Sequence, residues 1–148
     1  MAKMYFELTS PERLVLGTEV DELYAPADEG EIGILPDHIS LVTSLATGEL
    51  RYKNDGKLDY FAIEGGFLEV SNNKIVVLTE HADLGKDIDV EDEKKRKLIA
   101  EETLELAYAE ASKNETTLDT TGMEETIKRS DVRLSVASHY SAQKSNEH

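Results

Sequence analysis

Residues 58–78, LDYFAIEGGFLEVSNNKIVVL, decide the fold. The β-branched and aromatic runs Leu58 to Ile63, Phe67 to Val70 and Lys74 to Leu78 are cut by Gly65-Gly66 and by Ser71-Asn72-Asn73. That is the punctuation of strands and turns, not the 3.6-residue period of a helix. Asparagine tolerates positive φ, so Ser71-Asn72-Asn73 predicts a tight hairpin, and Asn54-Asp55-Gly56 predicts a second one just upstream. Working outward, the same texture continues through Met4 to Thr9, Arg13 to Leu16, Val20 to Ala25, Leu41 to Leu45 and Glu49 to Tyr52. Strands this short bury too little surface singly, so the expected architecture is two packed antiparallel sheets, an all-β sandwich over residues 1–86.

After Lys86 proline disappears and Glu, Lys, Ala and Leu take over, which is helix-forming composition. Asp87 and Asp89 offer N-caps, and a first helix is predicted to start near Val90. Its apolar stripe is narrow and small: Ala100, Leu104, Ala107 and Ala111. The polar run Lys113 to Thr117 weakens the pattern. Thr121 and Glu124 then have capping-box spacing, which starts a second helix near Gly122 with Met123, Ile127, Ser130, Leu134 and Ala137 on one face. The reading is an antiparallel two-helix hairpin over residues 87–140 with a loop of roughly eight to ten residues, followed by a frayed polar tail over residues 141–148.

Charge limits the partners. Against 16 Lys plus Arg stand 31 Asp plus Glu, a net charge of −15, which excludes unassisted binding to nucleic acid or an anionic membrane. The chain has no cysteine, so disulfides, thiolate metal sites and cysteine nucleophiles are excluded. Its apolar runs are far below the roughly 20 residues that cross a bilayer, and no signal-like h-region opens the sequence, which predicts a soluble, cytosolic protein.

A search for catalytic chemistry returns little. His38, His81, His139 and His148 lack a second ligand at helical spacing, and Glu80, His81 and Asp83 close a strand and enter a linker, where such residues are solvated; no metal site is read. Gly65-Gly66 lies between strands, so it is a bulge or tight turn rather than a phosphate-cradling loop. No catalytic residues are assigned, and binding or coupling is the better reading. The basic residues Lys128, Arg129 and Arg133 gather on the second helix, where an isolated cluster usually marks a solvated face.

Residues 27–47, ADEGEIGILPDHISLVTSLAT, run from an acidic, glycine-rich turn straight into an apolar segment, a plausible docking edge. Glu31, flanked by Gly30 and Gly33, is not explained by core packing and reads as an interface group. With EGEIGILPDHISLVTSL, GELR, FAIEGGFLEVSNNKIVVL and the later RLSVA at Arg133 to Ala137, in this order, the chain resembles the epsilon subunit of bacterial and chloroplast F-type ATP synthases over about residues 4–140.

The resemblance implies a central-stalk subunit without an active site of its own. It would couple ion-driven rotation to ATP synthesis and inhibit ATP hydrolysis through its C-terminal helices. Its implied partners are the gamma subunit, the c-subunit ring, and the alpha and beta subunits when the helices extend. Its implied place is peripheral, on the cytoplasmic face of the bacterial inner membrane, or the stromal face of a thylakoid. By position, Glu31, Gly33, Pro36 and His38 would face the c ring, and Lys128, Arg129 and Arg133 would form the inhibitory basic face. Some members bind ATP as a regulatory ligand through Ile or Leu, Asp, two variable residues, Arg and Ala. Ile88 and Asp89 match, and Arg129 and Arg133 match basic positions of that site, but Asp92 and Glu93 stand where Arg and Ala are expected. An acid there repels phosphate, so no cofactor is expected. The alternative reading is an ATP-sensing regulatory protein built from a β-sandwich and a helical hairpin.

Overall fold

The computed structural model describes residues 2–146. Eight strands precede two helices: β1 (Met4–Thr9), β2 (Leu14–Val20), β3 (Glu22–Ala27), β4 (Gly30–Ile34), β5 (Leu41–Asn54), β6 (Lys57–Ser71), β7 (Lys74–Leu78), β8 (Ala82–Leu84), α1 (Val90–Asn114) and α2 (Thr121–Asn146). A 3-10 turn, Gly85–Asp87, links the strands to α1.

The strands run β2-β1-β7-β6-β5-β3-β4, with β8 on β6. The two long strands belong to both layers of the sandwich. The C-terminal part of β6 pairs with β7 and the start of β5, while its N-terminal part pairs with β8 and the end of β5. Where short separate strands were expected on either side of Ala46-Thr47-Gly48 and of Gly65-Gly66, the chain stays hydrogen-bonded and bends instead. Gly66 makes the bend possible. Its φ is 126°, and a Cβ there would stand 1.9 Å from the Leu78 carbonyl oxygen, so a side chain is excluded by both conformation and space.

Both hairpins form as predicted, with positive φ at Asp55 and Gly56 and at Asn72 and Asn73. The pairing is antiparallel except at β1 and β7, which run parallel, so the layer containing them is mixed rather than wholly antiparallel. Strands β4 and β8 fall in stretches read as turn and linker. Both are short edge segments whose pairing comes from their neighbours β3 and β6 rather than from their own propensity.

Alternation fills the interior: Met4, Phe6 and Leu8 from β1, Ile75 and Val77 from β7, and Leu68 and Val70 from β6 meet Leu23, Ile34, Leu50, Phe61 and Ile63. Tyr52 lies between Phe6 and Phe61, with ring centroids 5.6 and 6.3 Å away. Its hydroxyl donates to Asp59 at 3.0 Å, and burial together with that carboxylate pushes its pKa far up.

Asp89 caps α1 by accepting from the Asp92 amide at 3.0 Å, as the sequence predicts. α1 ends at Glu115 in the left-handed region. Residues 115–120 make a shorter loop than expected, and α2 starts one residue early, with the Thr120 hydroxyl donating to Glu124 at 2.8 Å. α2 also continues through Ser141–Asn146, where a frayed tail was expected; the last two residues of that segment lie outside the described residues. α2 lies on β5, β6 and the 3-10 turn, and α1 packs along α2.

Candidate functional site

Three surfaces gather the residues singled out by sequence. The first is the β4 edge. Glu31 projects from β4, and its carboxylate accepts two bonds from the Arg51 guanidinium, at 2.6 and 2.9 Å. The Arg51 carbon sits 4.5 Å from the centre of the Tyr24 ring, and the same ring covers Gly33. This fork-to-fork bond holds the Glu31 pKa below the ordinary glutamate value and raises that of Arg51. Sequence reasoning left Glu31 without a partner in its own chain, because Arg51 lies 20 residues away. Pro36 and His38 lie in the following loop, where Asp37 has a φ of 66°. That loop is tied to the β6–β7 turn: the Asp37 amide donates to the Asn73 side chain at 2.7 Å, and the Asn73 amide donates back at 3.2 Å. Beside these residues Leu35 and Ile39 are exposed, Ile39 by 80%. The loop is thus a braced apolar tip next to a charged acid that Arg51 holds in place.

The second surface was missed in the sequence. The cross-strand row Ser44, Phe67, Leu78, Thr9 and Leu14 runs across β5, β6, β7, β1 and β2. Phe67, Leu78 and Leu14 on this row are 60%, 51% and 57% exposed, and Val42 in the neighbouring row is 72% exposed. The alternation that would make an outer face polar is broken here, and that break was the available signal. Among the described residues no helix packs on this face; α2 lies against the other layer.

The third surface is the seam under α2. Val136 and Ala137 pack on Ala62 and Ile88, with Tyr60 and Val132 at the margin. Around this thin apolar patch are ionic contacts. Arg129 donates to Glu64 at 3.0 Å. Arg133 donates through Nε to Glu93 at 2.9 Å and through its terminal nitrogen to Asp83. Ser130 donates to the other Glu93 oxygen at 2.8 Å. His139 lies 2.7 Å from Glu49 and against the Tyr60 ring. Burial works against the Arg133 charge, yet its bonds to Glu93 and the field of Asp83 prevail, and its pKa is raised. Two of the three predicted basic residues therefore face the chain's own acids. Lys128 is exposed and makes no contact of this kind among the described residues. The sequence-predicted nucleotide residues are likewise engaged: Asp89 caps α1, and Arg129 and Arg133 hold carboxylates.

Among the described residues, no group of three or more His, Cys, Asp or Glu side chains could hold a metal ion, and no helix is long and apolar enough to cross a membrane.

The comparisons agree with this arrangement of parts. The family described as "ATP synthase, Delta/Epsilon chain, beta-sandwich domain" matches residues 3–85. An ATP synthase epsilon chain of Nitratidesulfovibrio vulgaris is 45% identical over 101 residues, covering 68% of this chain and 75% of that one. One from Carboxydothermus hydrogenoformans is 53% identical over 89 residues, covering 60% of this chain and 66% of its own length. Among solved structures, a chain of the Euglena gracilis mitochondrial ATP synthase, determined as the OSCP/F1/c-ring assembly, aligns over 97% of this chain and 82% of its own. The TM-score is 0.63 and the identity 26%.

Proposed function

The chain belongs to the ATP synthase delta/epsilon family, and from that premise we propose that it is a central-stalk subunit which couples ion-driven rotation to ATP synthesis and restrains ATP hydrolysis through α1 and α2. It works by docking and holds no active site of its own. The observation that carries this reading is the division of labour between the two sandwich layers: one is covered by the chain's own α2, and the other presents Phe67, Leu78, Leu14 and Val42 to a partner.

The apolar face is the natural seat of the gamma subunit, because burying it needs a large, persistent partner rather than a small ligand. The tip at Glu31, Gly33, Pro36 and His38, with Leu35 and Ile39 beside it, faces the c ring. Glu31 is held in place by Arg51, so a basic group on the ring meets an acid whose geometry is already set. With the hairpin released, Arg129 and Arg133 leave the chain's own acids and join the already exposed Lys128 in meeting acidic segments of the alpha and beta subunits. The subunit then sits peripherally, on the cytoplasmic face of the inner membrane.

The test is reconstitution with a catalytic complex lacking this subunit. The full chain is expected to bind gamma and lower ATP hydrolysis, while a chain ending at Lys86 binds but does not inhibit. Failure of the full chain to bind gamma would remove the proposal.

A further inference from the structure

The seam contains a buried acid that nothing in the docking function uses. Glu93 stands in the first turns of α1 and is only 3% exposed, one of three buried polar residues among those described, with Thr79 and Ser130. Both of its oxygens are occupied, one by the Ser130 hydroxyl at 2.8 Å and the other by Arg133 Nε at 2.9 Å. Arg133 in turn reaches Asp83 on β8. One guanidinium thereby joins α1, α2 and the sandwich. α1 packs along α2, and through Arg133 the Glu93 carboxylate links it onward to the sandwich.

Burial makes the cluster sensitive to its parts. A buried carboxylate with its full set of bonds is tolerated, whereas removing one partner leaves an uncompensated charge or an unsatisfied acceptor. Lysine cannot replace the arginine. The planar fork serves Glu93 and Asp83 from different nitrogens, and an ammonium supplies a single point charge. The apolar patch beneath is thin, so losing the cluster weakens the hold on the hairpin.

We propose that Glu93, Ser130, Arg133 and Asp83 form a self-contained latch that keeps the helical hairpin on the sandwich, the chain's own carboxylates supplying the anion that Arg133 requires. The latch decides how often the hairpin leaves, and it does so within the isolated subunit, independently of any assembly. It therefore stands or falls separately from the docking function proposed above.

Hydrogen exchange on the isolated full chain tests it. The helices are rich in charge and carry narrow apolar stripes, so once released they are marginal and their amides exchange fast. In Glu93→Gln, exchange in α1 and in the Ser130–Tyr140 part of α2 is expected to quicken tenfold or more, with the sandwich amides unchanged. Arg133→Lys should quicken the same segments by several-fold. Asp131→Asn, which breaks the exposed Lys97 pair at 2.6 Å, should change them less than threefold. Unchanged sandwich amides show in each case that the protein is folded. Glu93→Gln exchanging no faster than Asp131→Asn, or Arg133→Lys matching the wild type, would overturn the latch.

Discussion

The sandwich interior and the seam under α2 are built from different materials. Phe6, Leu50, Ile63, Ile75 and their neighbours close the interior with apolar side chains, while two of the three buried polar residues among those described, Glu93 and Ser130, sit at the seam. The apolar share of the seam, Ala62, Ile88, Val136 and Ala137, supplies on the order of 5 kcal/mol before ordering entropy is subtracted. The interior supplies several times that. Opposed ions are directional and easily exchanged for others, so a seam of this kind suits a part that must dock, leave and dock elsewhere, whereas an apolar core suits a part that must not open.

The sharpest way to break this contrast is at Gly66. Gly66→Ala forces a Cβ into the Leu78 carbonyl and is expected to destabilise the whole sandwich by about 3 kcal/mol or more, read as a lower denaturation midpoint. A midpoint within about 0.5 kcal/mol of wild type would mean that the bend is soft. Next come paired truncations. Leu50→Ala should cost about 3 kcal/mol of global stability. Val136→Ala should cost about 1.5 kcal/mol, spent on hairpin opening alone. If Val136→Ala lowered the sandwich midpoint as Leu50→Ala does, the two regions would be one cooperative unit and the comparison would fail.

A third effect is smaller and isolates the released state. Because Arg129 and Arg133 act in the docked hairpin, replacing all three basic residues would confuse two roles. Lys128→Ala avoids this. It should relieve inhibition of ATP hydrolysis by two- to threefold, as expected for a charge contact worth about 0.5 kcal/mol, without altering hydrogen exchange in the isolated chain. Equal inhibition would assign Lys128 to a solvated face.

The smallest effect concerns Glu31. Its folded pKa is depressed by Arg51, so the pair contributes stability above the ordinary glutamate range and loses it as pH falls through the lowered folded value. Both groups are partly exposed, and the contribution is screened to below about 0.5 kcal/mol. In Glu31→Gln this part of the acid sensitivity should vanish, leaving a flatter stability curve below the glutamate range. A curve parallel to wild type would show that the fork contributes nothing in solution.

Local features of this molecule were legible because their causes are local. Positive φ at Asp55-Gly56 and Asn72-Asn73, the Asp89 cap and the change from β-branched runs to a Glu, Lys, Ala and Leu texture after Lys86 depend on neighbours a few residues away. Propensity also fixed the small-residue stripe of α1, whose Ala100 is buried as expected. Tertiary structure decided the rest. The continuity of β5 and β6 through their bends and the bare row around Phe67 depend on how whole strands are paired, and the parallel pairing of β1 with β7 and the bonds of Glu31 to Arg51 and of Glu93 to Arg133 join residues 20 to 69 positions apart. No local rule prefers one such pairing over another. The fold selects them by bringing chain segments together, and the charges then settle on whichever partners packing has placed within reach.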